Sequence, residues 1–218
     1  PAIGGLAKGQ LVREIDVLGG VMAKVTDLAA LQYKMLNISK GRAVWSPRAQ
    51  VDKRQYEKEI KKIFSFTKKI TVVRGEAKEV LVKGKKVFGV ILSSGKKIKA
   101  LSVILTCGTF LNGLVHIGNK KIPAGRMGEV PSRGITESLV SFGFKSGRLK
   151  TGTPPRLLSS SINWEKCTPL EGDGSPVPFS FFTKNFKPKN IPCFVTKTTS
   201  LCHEIIGDNV SKSPMFSG

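Results

Sequence analysis

Hydrophobic positions along the chain change their period several times, and each change marks an element. Leu11, Ile15 and Leu18 are spaced by four and three, which predicts a short helix behind the glycine-rich opening Gly4-Gly5-Leu6-Ala7-Lys8-Gly9. Gly19-Gly20 punctuates the pattern, and Val21, Val25 and Leu28 predict a second helical stretch. Leu31, Tyr33 and Met35 then alternate as in a strand. Between Asp52 and Phe66 the residues Tyr56, Ile60, Ile63 and Phe64 return to helical spacing. The same stretch turns Lys53, Arg54, Lys58, Lys61 and Lys62 to solvent, so it reads as an amphipathic helix with a solvated basic face.

From Ile70 to Cys107 the period becomes two. Ile70 to Val73, Glu79 to Val82, Lys86 to Leu92 and Lys97 to Thr106 read as strands, with glycine turns at Lys83-Gly84-Lys85 and Ser93-Ser94-Gly95. After Gly108 the chain is turn-rich through Gly128. Ile135, Leu139 and Phe142 then predict a helix with Ser132 as its N-cap. Helices before strands, with a meander inside, predict an α/β domain carrying an antiparallel insert. Beyond Gly147 the prolines 154, 155, 176, 178, 188 and 192 interrupt every period, which places a domain boundary near Lys150.

Composition narrows the class. The 218 residues are 40% hydrophobic, enough for a sizeable core. The longest apolar stretch, Ala100 to Leu111, is broken by Ser102, Thr106, Gly108 and Thr109, far short of the roughly 18 residues of a membrane span, so a soluble protein is expected. Lys and Arg number 36 against 15 Asp and Glu, a net charge of +21. That balance points to a polyanionic partner, most naturally nucleic acid. A solvated basic surface, or a piece parted from an acidic half, is the plain alternative.

The cysteines at 107, 167, 193 and 202 form no CxxC pair, and His116 and His203 are the only histidines. Zinc ligation and a disulfide framework both fit poorly. Reduced thiols suit a cytoplasmic or organellar compartment. The adjacent Cys202 and His203 suggest a thiolate–imidazolium pair, but neighbouring side chains diverge. The chain opens with Pro1 and closes at Pro214-Met215-Phe216-Ser217-Gly218, so both ends read as cuts and any targeting signal is expected outside them.

Two places have the glycine or capping chemistry that brings backbone N–H groups to a phosphate: Gly4-Gly5 before the first helix, and Ser132 before the helix from Gly134. The full GxGxxG fingerprint does not occur. Val103-Ile104-Leu105-Thr106-Cys107-Gly108-Thr109 resembles the strand-ending phrase of two-domain flavoproteins, where glycine lets the chain pass close to a flavin dinucleotide.

Longer phrases carry a more specific resemblance. Pro1-Ala2-Ile3-Gly4-Gly5-Leu6-Ala7-Lys8-Gly9 continues through Leu11-Val12-Arg13-Glu14-Ile15-Asp16 and Leu18-Gly19-Gly20. Met35-Leu36-Asn37, Ser39-Lys40-Gly41, Pro47-Arg48-Ala49-Gln50 and Asp52 follow. Then come Gly108-Thr109-Phe110-Leu111, His116-Ile117-Gly118, Ala124-Gly125-Arg126-Met127-Gly128 and Pro131-Ser132. Gly147-Arg148-Leu149-Lys150-Thr151-Gly152-Thr153-Pro154-Pro155-Arg156, Pro178-Phe179-Ser180-Phe181, Pro192-Cys193 and Ser213-Pro214-Met215 complete the series. In this order, over nearly the whole chain, they resemble the central portion of the GidA/MnmG family.

The resemblance implies an incomplete FAD-binding fold of the two-dinucleotide-binding-domain flavoprotein type, with an antiparallel β-meander and a smaller inserted α+β segment. Residues 1–150 would be part of the FAD-binding domain, and residues 151–218 part of an inserted domain associated with the nicotinamide cofactor. The parent activity it implies uses FAD and NADH, with methylene-tetrahydrofolate as one-carbon donor. With a GTPase partner of the MnmE type, a homodimeric parent would add a carboxymethylaminomethyl-type group to carbon 5 of the wobble uridine of tRNA. Carried over by position, flavin contacts fall on Ala77, Thr106, Gly108, Thr109 and Ser132, with Gly4, Gly5 and Lys8 near the flavin ring. Arg48, Gln50 and Arg126 match family phrases, each as ligand contact or structural hydrogen bond.

No catalytic residue is expected within the chain. By resemblance the flavin fingerprint and one functional cysteine precede Pro1, the other functional cysteine follows Gly218, and the tRNA- and GTPase-docking domain lies elsewhere. Cys107, Cys167, Cys193 and Cys202 match no family nucleophile, and Cys193 reads as a packed thiol. The fragment alone is therefore expected to be inactive. Three other readings stand beside this one: a related folate-dependent flavin tRNA (uracil-5-)methyltransferase, a basic RNA-binding module without redox role, and a GTPase-docking scaffold. The Gly147–Arg156 phrase favours the first reading over the methyltransferase.

Overall fold

The computed structural model describes residues 1–218 except Met127, Thr153, Pro155, Pro214, Met215, Ser217 and Gly218. Parts of the sequence phrases around these positions therefore lie outside the described residues. The chain folds as two compact units: Pro1–Thr71 with Leu157–Lys197, and Val72–Arg156 with Thr198–Gly218.

In the first unit the predicted helices and strand form where the periods placed them. Helix α1 is Lys8–Val17, α2 is Met22–Ala29 and α3 is Lys53–Phe66. Asp52 starts α3 because its carboxylate accepts the N–H groups of Arg54 (2.8 Å) and Gln55 (3.1 Å), two donors that a helix start leaves unpaired. Strands β1 (Ala2–Gly4), β2 (Ala30–Leu36) and β3 (Ser46–Val51) make an antiparallel sheet in the order β1-β3-β2. Pro47, Ala49 and Val51 alternate with the half-buried Arg48 and Gln50, so one face of β3 is apolar and the other polar. The apolar face meets a core of Val12, Ala23, Ala29, Tyr33, Ala49 and Phe179.

Phe179 enters that core from far along the sequence. The segment after Leu157 runs beside the outer edge of β2, where Asp173 N–H donates to Tyr33 O and Ile191 N–H to Leu31 O, each at 2.8 Å. It carries its own antiparallel pair, β9 (Thr168–Leu170) and β10 (Cys193–Val195). Buried Gln32 ties the segment down by donating to Leu170 O (3.0 Å) in β9 and to Ile191 O (3.1 Å) just before β10. An unpaired buried amide is costly, so this side chain fixes where the segment docks.

The second unit holds the predicted meander. Strands β4 (Ala77–Lys83), β5 (Lys86–Leu92) and β6 (Lys97–Lys99) form an antiparallel sheet with turns at Gly84 and Gly95, both with positive φ. Helix α4 is Ile135–Ser141, and Ser138 Oγ accepts the Val80 N–H at 3.0 Å, bolting helix to sheet.

Several expectations are corrected. Ile70 to Val73 forms no strand, and the last predicted strand stops at Lys99 instead of Thr106. Both stretches have a strand's composition, but among the described residues they find no ladder partner. Their side chains stay exposed, Val72 at 76% and Ile104 at 87%. The turn-rich stretch after Gly108 contains a hairpin, β7 (Leu114–Ile117) and β8 (Lys120–Pro123), too short and exposed to leave an alternating signal. The aperiodic tail contains helix α5 (Ser200–Asn209), capped by the Thr199 hydroxyl on Cys202 N–H at 3.3 Å. No helix among the described residues is long and apolar enough to cross a membrane.

Candidate functional site

One concavity among the described residues lies in the second unit. An open cleft of about 560 Å³ has apolar walls from Ile104, Leu105, Leu111, Val130 and Ile135. Its polar groups come from Glu76, Thr106, Cys107 and Ser132, and Gly75 and Ala77 complete it. Local structure explains the assembly. Gly108 turns the chain after Cys107 at φ 68°, with nothing within 4 Å of where a Cβ would stand. Leu111 and Ser132 then meet in a parallel bridge, supported by Ser132 N–H to Phe110 O (3.3 Å) and Asn112 N–H to Ser132 O (2.8 Å).

Glu137 ties this loop to α4. It accepts Asn112 Nδ2–H at 2.8 Å and the Gly134 N–H at 2.9 Å. The N–H of Glu137 itself, then Asn112 and Gly134, hold its carboxyl below the ordinary glutamate value. The N-cap of α4 is therefore Gly134, at φ 103°, and not Ser132 as the spacing predicted. Glycine has no side chain to accept with, so Glu137 supplies the cap from inside the helix. Since the N–H groups of Ser132 and Gly134 are both spent, neither is free for a phosphate. Among the lining residues Thr106 and Ser132 instead contribute hydroxyls, and the apolar walls suit a flat ring.

In the first unit the glycine loop joins β1 to α1. Gly4 (φ 81°), Gly5 (φ 93°) and Ala7 (φ 61°) all have positive φ. Gly5 N–H donates to Pro47 O (2.9 Å) and Gly9 N–H to Gly5 O (2.8 Å), so the amides of Gly5 and Gly9 are committed. Gly4 and Gly9 are packing glycines: a Cβ at Gly4 would come 2.6 Å from Phe179 Cζ, and one at Gly9 would come 2.7 Å from Pro47 Cδ. Gly5 faces open space, and Lys8 begins α1 with its side chain exposed. Arg48 lies opposite Gly4 and Lys34 in the sheet, its Nε buried without a partner. Gln50 lies opposite Ala2 and Gln32. Arg126 is exposed.

The profile of the family described as "Glucose inhibited division protein A" matches residues 1–218. The chain belongs to this family.

The tRNA uridine 5-carboxymethylaminomethyl modification enzyme MnmG of Thermodesulfovibrio yellowstonii is 50% identical over 218 residues, 100% of this chain and 35% of that protein. The protein of the same description from Chlorobium phaeobacteroides is 50% identical over 220 residues, again 100% of this chain and 35% of that protein. The structure of Aquifex aeolicus GidA in its form II crystal superposes with a TM-score of 0.89 at 43% identity, covering 96% of this chain and 36% of that one. The fold is thus the mixed α/β fold, with antiparallel sheets, of the corresponding part of GidA. This chain spans about a third of the length of these curated relatives.

Set against this GidA fold, Ala77, Thr106 and Ser132 line one cleft, and Gly108 and Thr109 make the turn that follows it. Gly4, Gly5 and Lys8 belong to the other unit. The walls Leu111, Val130 and Ile135 were not anticipated as site residues. The Leu111–Ser132 bridge that gathers them spans too many positions for any local pattern to show it. The thiols are free: Cys193 Sγ donates to Gln32 Oε1 (3.4 Å) and Cys167 Sγ to Asn163 O (3.5 Å). His203 Nε2 pairs with the Thr198 hydroxyl at 2.6 Å.

Proposed function

We propose that the polypeptide carrying these residues is a flavin-dependent tRNA-modifying enzyme. It would add a carboxymethylaminomethyl-type group to carbon 5 of the wobble uridine, in the cytoplasm, as a homodimer working with a GTPase partner. The observation that carries this reading is the family match over residues 1–218, together with relatives described as tRNA uridine 5-carboxymethylaminomethyl modification enzymes. A net charge of +21 supports a polyanionic substrate independently.

Within this reading, residues 1–150 belong to the FAD-binding domain and residues 151–218 to an inserted domain associated with NADH. The cleft of Ala77, Thr106 and Ser132 suits the adenosine half of FAD: its size is that of a cofactor site, and Gly108 leaves room for close approach. Gly5, with open space where a Cβ would stand, and Lys8 would lie near the flavin ring. When bound, the flavin supplies hydride transfer from NADH, and methylene-tetrahydrofolate supplies the one-carbon unit. This chain's own part is to hold the cofactor and orient it.

The test is the visible absorption spectrum of the full-length protein before and after NADH, with a tRNA-binding titration alongside. A flavin band that bleaches, with salt-sensitive tRNA binding, is the expected result. A colourless protein that takes up no added FAD would sink the redox reading and leave a basic RNA-binding module.

A further inference from the structure

Two adjacent phenylalanines in the first unit stand out of the protein surface. Phe181 is 63% exposed and Phe182 is 59% exposed. Exposed rings usually sit on mobile loops, but these two sit on backbone held from below. Asp16, itself fully buried, accepts the Phe181 N–H at 2.9 Å. Asp27 accepts the N–H groups of Phe179 (2.8 Å) and Ser180 (3.0 Å) and the Thr183 hydroxyl (2.5 Å). Ser180 Oγ takes the Phe182 N–H at 3.2 Å, and Arg13 donates to Pro178 O, also at 3.2 Å. Phe179, between these anchors, is plugged into the core.

Each exposed ring also has a cation over it. The Arg13 guanidinium stands 5.3 Å from the Phe181 centroid, and the Lys24 ammonium 4.8 Å from that of Phe182. Arg13 comes from α1, where its bond to Pro178 O also holds it, and the exposed Lys24 comes from α2. A pair of exposed aromatics on an anchored backbone, each with a cation over one ring face, has the chemistry of a platform that stacks unpaired bases on the other face. The rings offer π-faces to any base, and the cations meet the phosphates beside it. A preformed platform loses little conformational freedom on binding.

We propose that Phe181 and Phe182, with Arg13 and Lys24, form a stacking platform for an unpaired base of RNA. The inference rests on the tRNA-binding function proposed above and names a surface for it. Duplex RNA offers no free π-face at mid-helix, so the platform selects single-stranded segments.

The test uses the full-length protein and a labelled single-stranded RNA, beside the same RNA annealed to its complement. Replacing both rings, F181L with F182L, should weaken single-strand binding by roughly tenfold or more, within the range for losing a stacked base. Duplex binding and the salt slope should stay the same. Lys24→Ala should instead lower the salt slope by about one for its phosphate contact. Phe181→Trp keeps a ring in place, and its added fluorescence should be quenched by the single strand, which keeps the idea testable if the leucine variant folds poorly. Equal loss on both RNAs, unchanged binding in the double variant, or no quenching at residue 181 would each overturn the platform. Failure of the unmodified protein to bind tRNA at all would instead remove the function proposed above.

Discussion

Asp27, near the end of α2, accepts the backbone N–H of Phe179 at 2.8 Å, although 152 positions separate them in sequence. The same carboxylate takes the Ser180 N–H, the Thr183 hydroxyl and the Tyr33 hydroxyl. One side chain therefore binds the late segment of the first unit to its early helices. Hydrogen bonds to a charged acceptor contribute more than neutral ones, about 1.5–3 kcal/mol each in net terms. Asp27→Asn keeps the shape but removes the charge and turns an amide toward donors. It should loosen the segment around Phe179 by roughly 2–3 kcal/mol, the lower part of what such a loss allows. Amide hydrogen exchange over residues 178–183 would report it, and protection equal to the parent's would show that the clamp is dispensable.

Tyr33 makes the alkaline side of stability predictable. Burial first, then its hydrogen bond to Asp27 and the charge there, push its hydroxyl well above the ordinary value of 10.0. A group whose folded pKa is raised contributes stability that is complete below its unfolded pKa and is lost as pH rises toward the folded one. The loss should therefore begin above pH 10.0 and continue upward. Tyr33→Phe should be less stable than the parent at neutral pH, yet show a flatter decline above that point. Parallel curves for the two proteins would mean that lysine deprotonation, not Tyr33, governs the alkaline limb.

Much of the fold was legible because local patterns and partners coincided. The Tyr56–Ile60–Ile63 spacing points to α3, and the helix forms over it, started by an Asp52 cap that the spacing did not show. The meander was legible because Gly84 and Gly95 turn between strands that neighbour each other in sequence. Ile70–Val73 failed for a physical reason: alternation fixes which face of a strand is apolar, but says nothing of which strand lies beside it. The candidate site divides the same way. Thr106, Gly108 and Ser132 were reachable from phrases along the chain, whereas Leu111, Val130 and Ile135 join them only through the Leu111–Ser132 bridge. The Asp27 clamp was invisible for that reason too, since its partners lie in another part of the sequence.

Gly4 and Gly5 are adjacent, and both have positive φ, but they should respond differently to alanine. Each substitution carries the backbone cost of a left-handed conformation, about 1–2 kcal/mol. At Gly4 the new Cβ would also press against the Pro47 carbonyl and Phe179, and neither can retreat. Gly4→Ala should therefore lower the thermal midpoint by clearly more than Gly5→Ala. A Cβ added at Gly5 would meet nothing within 4 Å, so its substitution should cost only the backbone term. If Gly5 lies near the flavin ring as proposed, Gly5→Ala should reduce bound flavin out of proportion to its effect on stability. Equal thermal losses from the two variants would mean that Phe179 yields to the methyl group.

Ser132 and Ser138 stand six positions apart and separate binding from stability. Ser138 Oγ is the buried partner of the Val80 N–H, so Ser138→Ala orphans a backbone donor between α4 and β4. That should cost about 1–3 kcal/mol and leave cofactor affinity near the parent's. Ser132 is held by its backbone alone, through Phe110 O and Asn112 N–H, and removing its hydroxyl disturbs neither bond. Ser132→Ala should therefore melt like the parent. If its hydroxyl meets FAD in the cleft, it should weaken FAD binding by roughly 5- to 15-fold, the worth of one hydrogen bond. Titrating FAD into each full-length apo-protein, with melting curves alongside, separates the two roles. Undiminished FAD affinity in Ser132→Ala would remove Ser132 from the binding site, and the cleft's remaining hydroxyl, on Thr106, would become the group to test.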